Sequence, residues 1–173
     1  MGQASNLALQ DDGGQVEDTL TGKFLTFLVD QEYYGIPIQY VKEIVGLHTI
    51  TEVPEMPVYI KGIINLRGRI IPIMDIRLRF KKPYRAYNDR TCIIVVDIDE
   101  LCVGLIVDSV SEVLWIASED IVPPPGLGIG GARYVMGVGR SDGGAKLLLD
   151  CNRLLNDHEL EQLDNLNTPR EEL

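Results

Sequence analysis

The chain contains one unit twice, and that duplication limits its possible folds more than any other feature. At a constant offset of 69 residues, without a gap, Tyr34–Val45 overlays Val103–Leu114, with Gly35 on Gly104, Val41 on Val110 and Glu43 on Glu112. The preceding segment matches as well, Phe24–Asp30 falling on Ile93–Asp99. A six-residue insertion then moves the offset to 75, where Tyr59, Gly62, Gly68 and Asp75 coincide with Tyr134, Gly137, Gly143 and Asp150. Two diverged copies of about sixty residues follow one another, so one architecture must serve both.

Each copy reads as short strands separated by Gly, Pro and Asp turns, the pattern of a small β-barrel or sandwich. In the first copy the strands are expected at about 23–29, 32–38, 43–51, 60–65 and 69–74. In the second they are expected at about 91–97, 102–108, 111–116, 134–139 and 145–149. Asp30-Gln31, Asp97–Glu100 and Asn65–Gly68 supply hairpin turns, with Gly68 free to take a positive φ. Short helical pieces are expected near 39–42, 75–80 and 109–111. A longer helix, about 151–165, opens at the N-cap residue Asp150, with Leu154, Leu155, Leu160, Leu163 and Leu166 recurring at roughly helical spacing. The domain reading is therefore an acidic, disordered extension over 1–21, subdomains over about 22–90 and 91–155, the C-terminal helix, and a tail over 166–173.

With 45% hydrophobic residues the chain can build a core, and its longest strictly apolar runs, Cys92–Val96 and Val113–Ala117, are far too short to span a bilayer. Direct membrane insertion is not expected. Nor does the N-terminus show a basic n-region or an apolar h-region, so a cytoplasmic location is expected. Cys92, Cys102 and Cys151 form no C-x-x-C pair, and reduced thiols are expected of all three.

The net charge of −10 is concentrated at the ends, while 61–90 carries nine bases against Asp75 and Asp89. Such a band suits a phosphate backbone, yet the protein is acidic overall and the band lacks a stacking platform beyond Tyr84 and Tyr87. A docking face for an acidic protein, or a solvated face, fits better; no nucleic-acid partner is expected.

Signs of chemistry are sparse. Gly126–Gly131 satisfies G-x-G-x-x-G, but Pro123-Pro124-Pro125 stands where a dinucleotide site needs a strand, so the segment reads as an inserted loop. His48, in an expected strand, and His158, in the expected C-terminal helix, have no second ligand at metal spacing, and no nucleophile motif accompanies either. Asp99-Glu100 and Glu119-Asp120 read as turn and surface carboxylates. No catalytic residue, metal or cofactor is expected, and a binding module is favoured over an enzyme.

A duplicated fold needs its framework in both copies and a site in only one. Glu43 and Glu112 share a repeat position, whereas the turn residue Arg67 has become Asp142 in the second copy. An arginine on a tight turn presents a rigid donor fork for a carboxylate or carbonyl, so Arg67 is a candidate functional residue, expected to be held by Glu43.

Tyr33–Ile36, Val41–Ile44 and above all Tyr59–Arg77, with its Asn65-Leu66-Arg67-Gly68 core and downstream Pro72 and Asp75, closely resemble the bacterial chemotaxis coupling proteins of the CheW family. Val103–Leu114 fits too, and the resemblance runs from about Gly22 to Leu163. It implies two SH3-like five-stranded barrels with an apolar core between them. It further implies a non-enzymatic adaptor joining methyl-accepting chemoreceptor tips to the regulatory domain of the histidine kinase CheA, at the cytoplasmic end of receptor arrays. A coupling module of a related two-component pathway outside chemotaxis is the alternative. Carried over residue by residue, the receptor-facing set is Val41, Glu43 and Arg67, with Gly62, Val103, Gly104 and Val107 lining the neighbourhood. The kinase-facing surfaces are expected near Ile44, Gly46, His48, Gly126 and Arg133.

Overall fold

A computed structural model describes residues 20–124 and 133–154 of the 173-residue chain. The first copy supplies β1 (Lys23–Val29), β2 (Glu32–Pro37), β3 (Val41–Gly46), β4 (Ile60–Leu66), β5 (Arg69–Asp75) and the single-turn helix α1 (Ile76–Arg79). The second supplies β6 (Cys92–Ile98), β7 (Leu101–Val107), β8 (Ser109–Trp115), the two-residue β9 (Ile121–Val122), β10 (Val135–Ser141), β11 (Gly144–Leu149) and α2 (Cys151–Leu154). The molecule is mainly β, as the turn spacing predicts.

The sheets cut across the duplication. One runs β3-β6-β7-β5-β4, and the other β8-β1-β2-β11-β10-β9. Under the repeat offsets β3, β6, β7, β5 and β4 correspond to β8, β1, β2, β11 and β10, so the two orders are the same order. The copies have exchanged their first hairpins. β1–β2 is inserted between strands of the second copy and β6–β7 between strands of the first, through the parallel pairings β2 with β11 and β5 with β7. No division at residue 90 therefore separates one sheet from the other.

The exchanged hairpins turn tightly. Val29 pairs with Glu32 and Ile98 with Leu101, leaving two-residue turns whose members all have positive φ: Asp30 and Gln31 at 52° and 71°, Asp99 and Glu100 at 51° and 67°. Such turns match the right-handed twist of the strands they join.

Side chains along a strand alternate between faces, and here the alternation separates two kinds of core. On β6, Ile94, Val96 and Ile98 enter a large central cluster with Leu25, Phe27, Val29, Tyr34, Ile36, Val103, Leu105 and Val107. Ile93 and Val95 point the other way, into a smaller cluster with Ile64, Leu66, Ile71, Ile73 and Ile106. Phe24, Ile116 and Leu148 form the equivalent small cluster of the other sheet. Each sheet thus curls over its own small core and shares the central one.

Two expectations need correction. Residues 109–111 open β8 instead of a helix; the 3-10 turn of the first copy, Ile38–Tyr40, has Val107–Ser109 as its counterpart, where β7 ends and β8 begins. Pro37, which caps that turn, lacks a backbone N–H; its counterpart Ile106 has one, so β7 continues to Val107 and the chain re-enters a ladder two residues later. The third strand begins at Val41 and ends at Gly46, so His48 lies outside it; only Thr51 pairs again, with Ile63. β9 was too short to show in the sequence. The expected disorder over 1–21 falls almost wholly outside the described residues, as do the inserted loop at Gly126, the helix beyond Leu154, His158 and the tail.

Candidate partner-docking site

Arg67 and Glu43 are 24 positions apart, and two local devices bring them together. The first is the β4–β5 turn. Leu66 pairs with Arg69, so Arg67 and Gly68 are the whole loop, at φ 53° and 90°. Asn65 steadies it by accepting a hydrogen bond from the Gly68 N–H at 2.8 Å, the asparagine-turn contact that favours this residue here. The second is a bulge in β3. Val41 opposes Val96 and Glu43 opposes Val95, so Lys42 is left over and the strand bends. The bend aims Glu43 at the turn, and Arg67 donates from Nη2 to Glu43 Oε2.

The Arg67 side chain is 67% exposed while that of Glu43 is 35% exposed. An ion pair so wet contributes only about 0–1 kcal/mol to stability, so its value lies in holding the guanidinium in one orientation. Around it the surface is mixed. Val41 is half-buried against the central core, Lys42 pairs with Asp97 at 3.5 Å, and Ile44, Gly46, Leu47 and His48 are exposed along the free side of β3. His48 Nδ1 lies 2.9 Å from the Gly46 carbonyl oxygen.

The other expected site residues are placed differently. Val103 and Val107 are 0% and 1% exposed in the central core, and Gly104 is buried beside them; a surface-docked partner touches none of the three. A Cβ on Gly104 would come within 2.6 Å of Ile73 and 2.8 Å of Ile93. Gly62 has φ 143°, and a Cβ there would sit 2.1 Å from the Thr51 carbonyl oxygen. Packing within the fold fixes all four. Arg133, at the start of the segment after the inserted loop, lies over the ring of Tyr134 at 4.7 Å; Gly126 is outside the described residues.

The basic band resolves into unlike parts. Arg77 is a structural cation, its side chain 6% exposed, bonding to Asp30 at 3.1 Å and to Asp108. The hydrogen bond from that guanidinium, against the opposing effect of burial and with help from Lys82, holds the Asp30 carboxyl below the usual carboxylate range. Arg79 is also buried, between the rings of Tyr59 and Tyr134, and donates from Nε to the Leu154 carbonyl at 2.7 Å. Lys61 lies over the exposed Tyr84 ring. Sequence reading missed the Arg77 network because charge counting cannot tell a solvated arginine from a buried one.

A family model described as the CheW-like domain matches residues 23–159. The chain belongs to the CheW family. It is 37% identical over 150 residues to a chemotaxis protein CheW of Klebsiella aerogenes, a match covering 86% of this chain and 90% of that one. With a chemotaxis protein CheW of Treponema pallidum it shares 34% over 149 residues, covering 83% and 88%. The crystal structure of the scaffolding protein TtCheW from Thermoanaerobacter tengcongensis superposes with a TM-score of 0.75 at 37% identity, covering 80% of this chain and 96% of that one. A CheW-family chain is a non-catalytic chemotaxis adaptor, and the paired sheets described above are its fold. Among the described residues no group of three or more His, Cys, Asp or Glu side chains could hold a metal, and no helix is long and apolar enough to cross a membrane.

Proposed function

We propose that this chain couples the cytoplasmic tips of methyl-accepting chemoreceptors to the regulatory domain of the histidine kinase CheA. The observation that carries the reading is the Glu43–Arg67 pair: an exposed donor fork, fixed in direction and bordered by the half-buried Val41. A receptor tip is a helical hairpin, and a helix laid on this face would find apolar contact at Val41 and a polar anchor at Arg67. Gly62, Val103, Gly104 and Val107 would support that face without touching the receptor. The kinase domain would use the neighbouring ground at Ile44, Gly46 and His48, on and just beyond β3, and the region of Gly126 and Arg133. Each contact would be small, and the assembly would draw strength from multivalency in a cytoplasmic array.

The test is titration of the labelled protein with a receptor-tip hairpin and, separately, with the kinase regulatory domain, comparing wild type with Arg67→Ala. The reading expects both to bind and only the receptor contact to weaken in the variant, with a melting temperature nearly unchanged. Loss of stability with receptor binding intact would overturn the role given to Arg67, and failure of both partners to bind would overturn the coupling reading.

A further inference from the structure

The counterpart of the Glu43–Arg67 site in the other sheet is an unfilled version of it. Glu112 on β8 stands where Glu43 stands on β3, and the β10–β11 turn places Asp142 where the β4–β5 turn places Arg67. The strand bulge is repeated as well, β8 being bulged at the matching point; Thr26, where the first sheet has Val95, bonds both the N–H and the carbonyl of Glu112, at 3.1 and 2.7 Å. What differs is the charge. In the first copy a guanidinium sits on the glutamate; in the second, the turn that would bring one brings a carboxylate.

Between β8 and that turn lies an open cleft of about 370 Å³. Leu114 and Ile116, part of the small core, form apolar wall, and Trp115, 66% exposed, stands at the rim. Three carboxylates line it, Glu112, Asp120 and Asp142, and among the described residues no ion pair reaches any of them. The two basic groups in the lining are turned to acceptors of their own. Arg140 reaches the Glu119 carbonyl at 3.4 Å, and the Lys146 ammonium lies over the Tyr33 ring at 4.4 Å and 3.4 Å from the Gly143 carbonyl.

We propose that this cleft receives the guanidinium of an arginine presented by a protein partner, flanked by an apolar residue that packs on Trp115. The incoming fork takes the place that Arg67 occupies on Glu43, with Glu112 and Asp142 as acceptors and the indole as a face for cation–π contact. Arginine suits the site better than lysine because a planar fork can engage two carboxylates and lie on a ring together. The inference stands apart from the receptor reading, since it concerns the opposite sheet and the unpaired half of the duplication.

Trp115 is the only tryptophan in the chain, so its emission reports the cleft directly. The full-length protein is titrated with the peptide acetyl-Ala-Arg-Leu-amide and with versions carrying citrulline or lysine in place of arginine. A saturable emission change at millimolar arginine peptide, absent with citrulline and several-fold weaker with lysine, is expected. Asp142→Asn should weaken binding about three- to tenfold, the span between an exposed and a partly desolvated charged hydrogen bond. Asp142→Arg is the decisive variant: it should fill the cleft from within, as Arg67 does on Glu43, and abolish the response while leaving the melting temperature unchanged. An equal response to citrulline, no response to arginine, or undiminished binding by a folded Asp142→Arg protein would overturn the proposal. So would sedimentation showing self-association that Asp142→Arg alone removes, since the occupant would then be a second copy.

Discussion

If the hairpins are exchanged, then neither half of this chain can fold alone, although each contains a complete repeat. The chain is cut between residues 90 and 91, in the segment joining α1 to β6, and fragments 20–90 and 91–154 are prepared separately. In the first fragment β1–β2 loses β8 and β11, its neighbours on both sides, while β3, β4 and β5 lose the β6–β7 pair that joins them. The hairpin's contribution can be sized from its burial: Leu25, Phe27, Val29, Tyr34 and Ile36 are each no more than 4% exposed. At about 1.5–3 kcal/mol for each fully buried side chain, these five carry roughly 7–15 kcal/mol. That figure is an upper bound, because unfolded chains already bury some apolar surface. Even half of it, about 4–7 kcal/mol, is comparable with the lower part of the 5–15 kcal/mol that holds an average domain together. Each fragment alone should therefore show no cooperative thermal transition by circular dichroism and a collapsed amide proton spectrum. Mixed one to one, they should regain both, because every ladder and core contact can reform without the link; the association cost makes recovery depend on concentration. A cooperative melt and dispersed amide spectrum from fragment 20–90 alone would refute the argument, for it would mean the first repeat can close its own sheet.

Two further outcomes follow from single positions. Gly62→Ala places a methyl 2.1 Å from the Thr51 carbonyl at a φ of 143°, where Thr51 and Ile63 exchange two 2.9 Å hydrogen bonds; it should lose about 2 kcal/mol or more in a denaturant titration, with Gly46→Ala, which meets nothing within 4 Å, as the neutral control. Replacing Arg77 by Met should lower the melting temperature and flatten the acid limb of the stability profile. The Asp30 carboxyl has its folded pKa lowered by Arg77, so its contribution is present above the unfolded value of about 3.9 and is lost as pH falls through the folded one; an unchanged acid limb in Arg77→Met would show that Arg77 is not the cause.

The exchange also explains why so much of the fold could be read along the chain and so little of its assembly. Strand ends came out within a residue or two at β1, β2, β4 and β5 because alternation and turn residues are local signals. The turn at Asn65–Gly68 and the cap at Asp150 are local too, and both formed as read, Asp150 Oδ1 accepting from the Asn152 N–H at 3.0 Å. Partners of a strand are a different matter. Tyr34 belongs to the first copy and lies in register beside Leu147 of the second, and nothing in either segment records that pairing. Gly62, Val103, Gly104 and Val107 show the same gap at the site: their residue types were informative, but whether they face a partner or the core is set by packing from other strands.

What the sequence determined by itself was therefore the repeat, the strands, the tight turns and the residue pair Glu43 and Arg67, because each rests on conformational preferences within a few residues or on similarity between two stretches of text. What only the tertiary structure decided was which copy completes which sheet, which arginines are solvated and which are buried, and that the second copy holds a cleft where the first holds an ion pair. Those depend on contacts between residues tens of positions apart, where burial and pairing free energies outweigh any local preference.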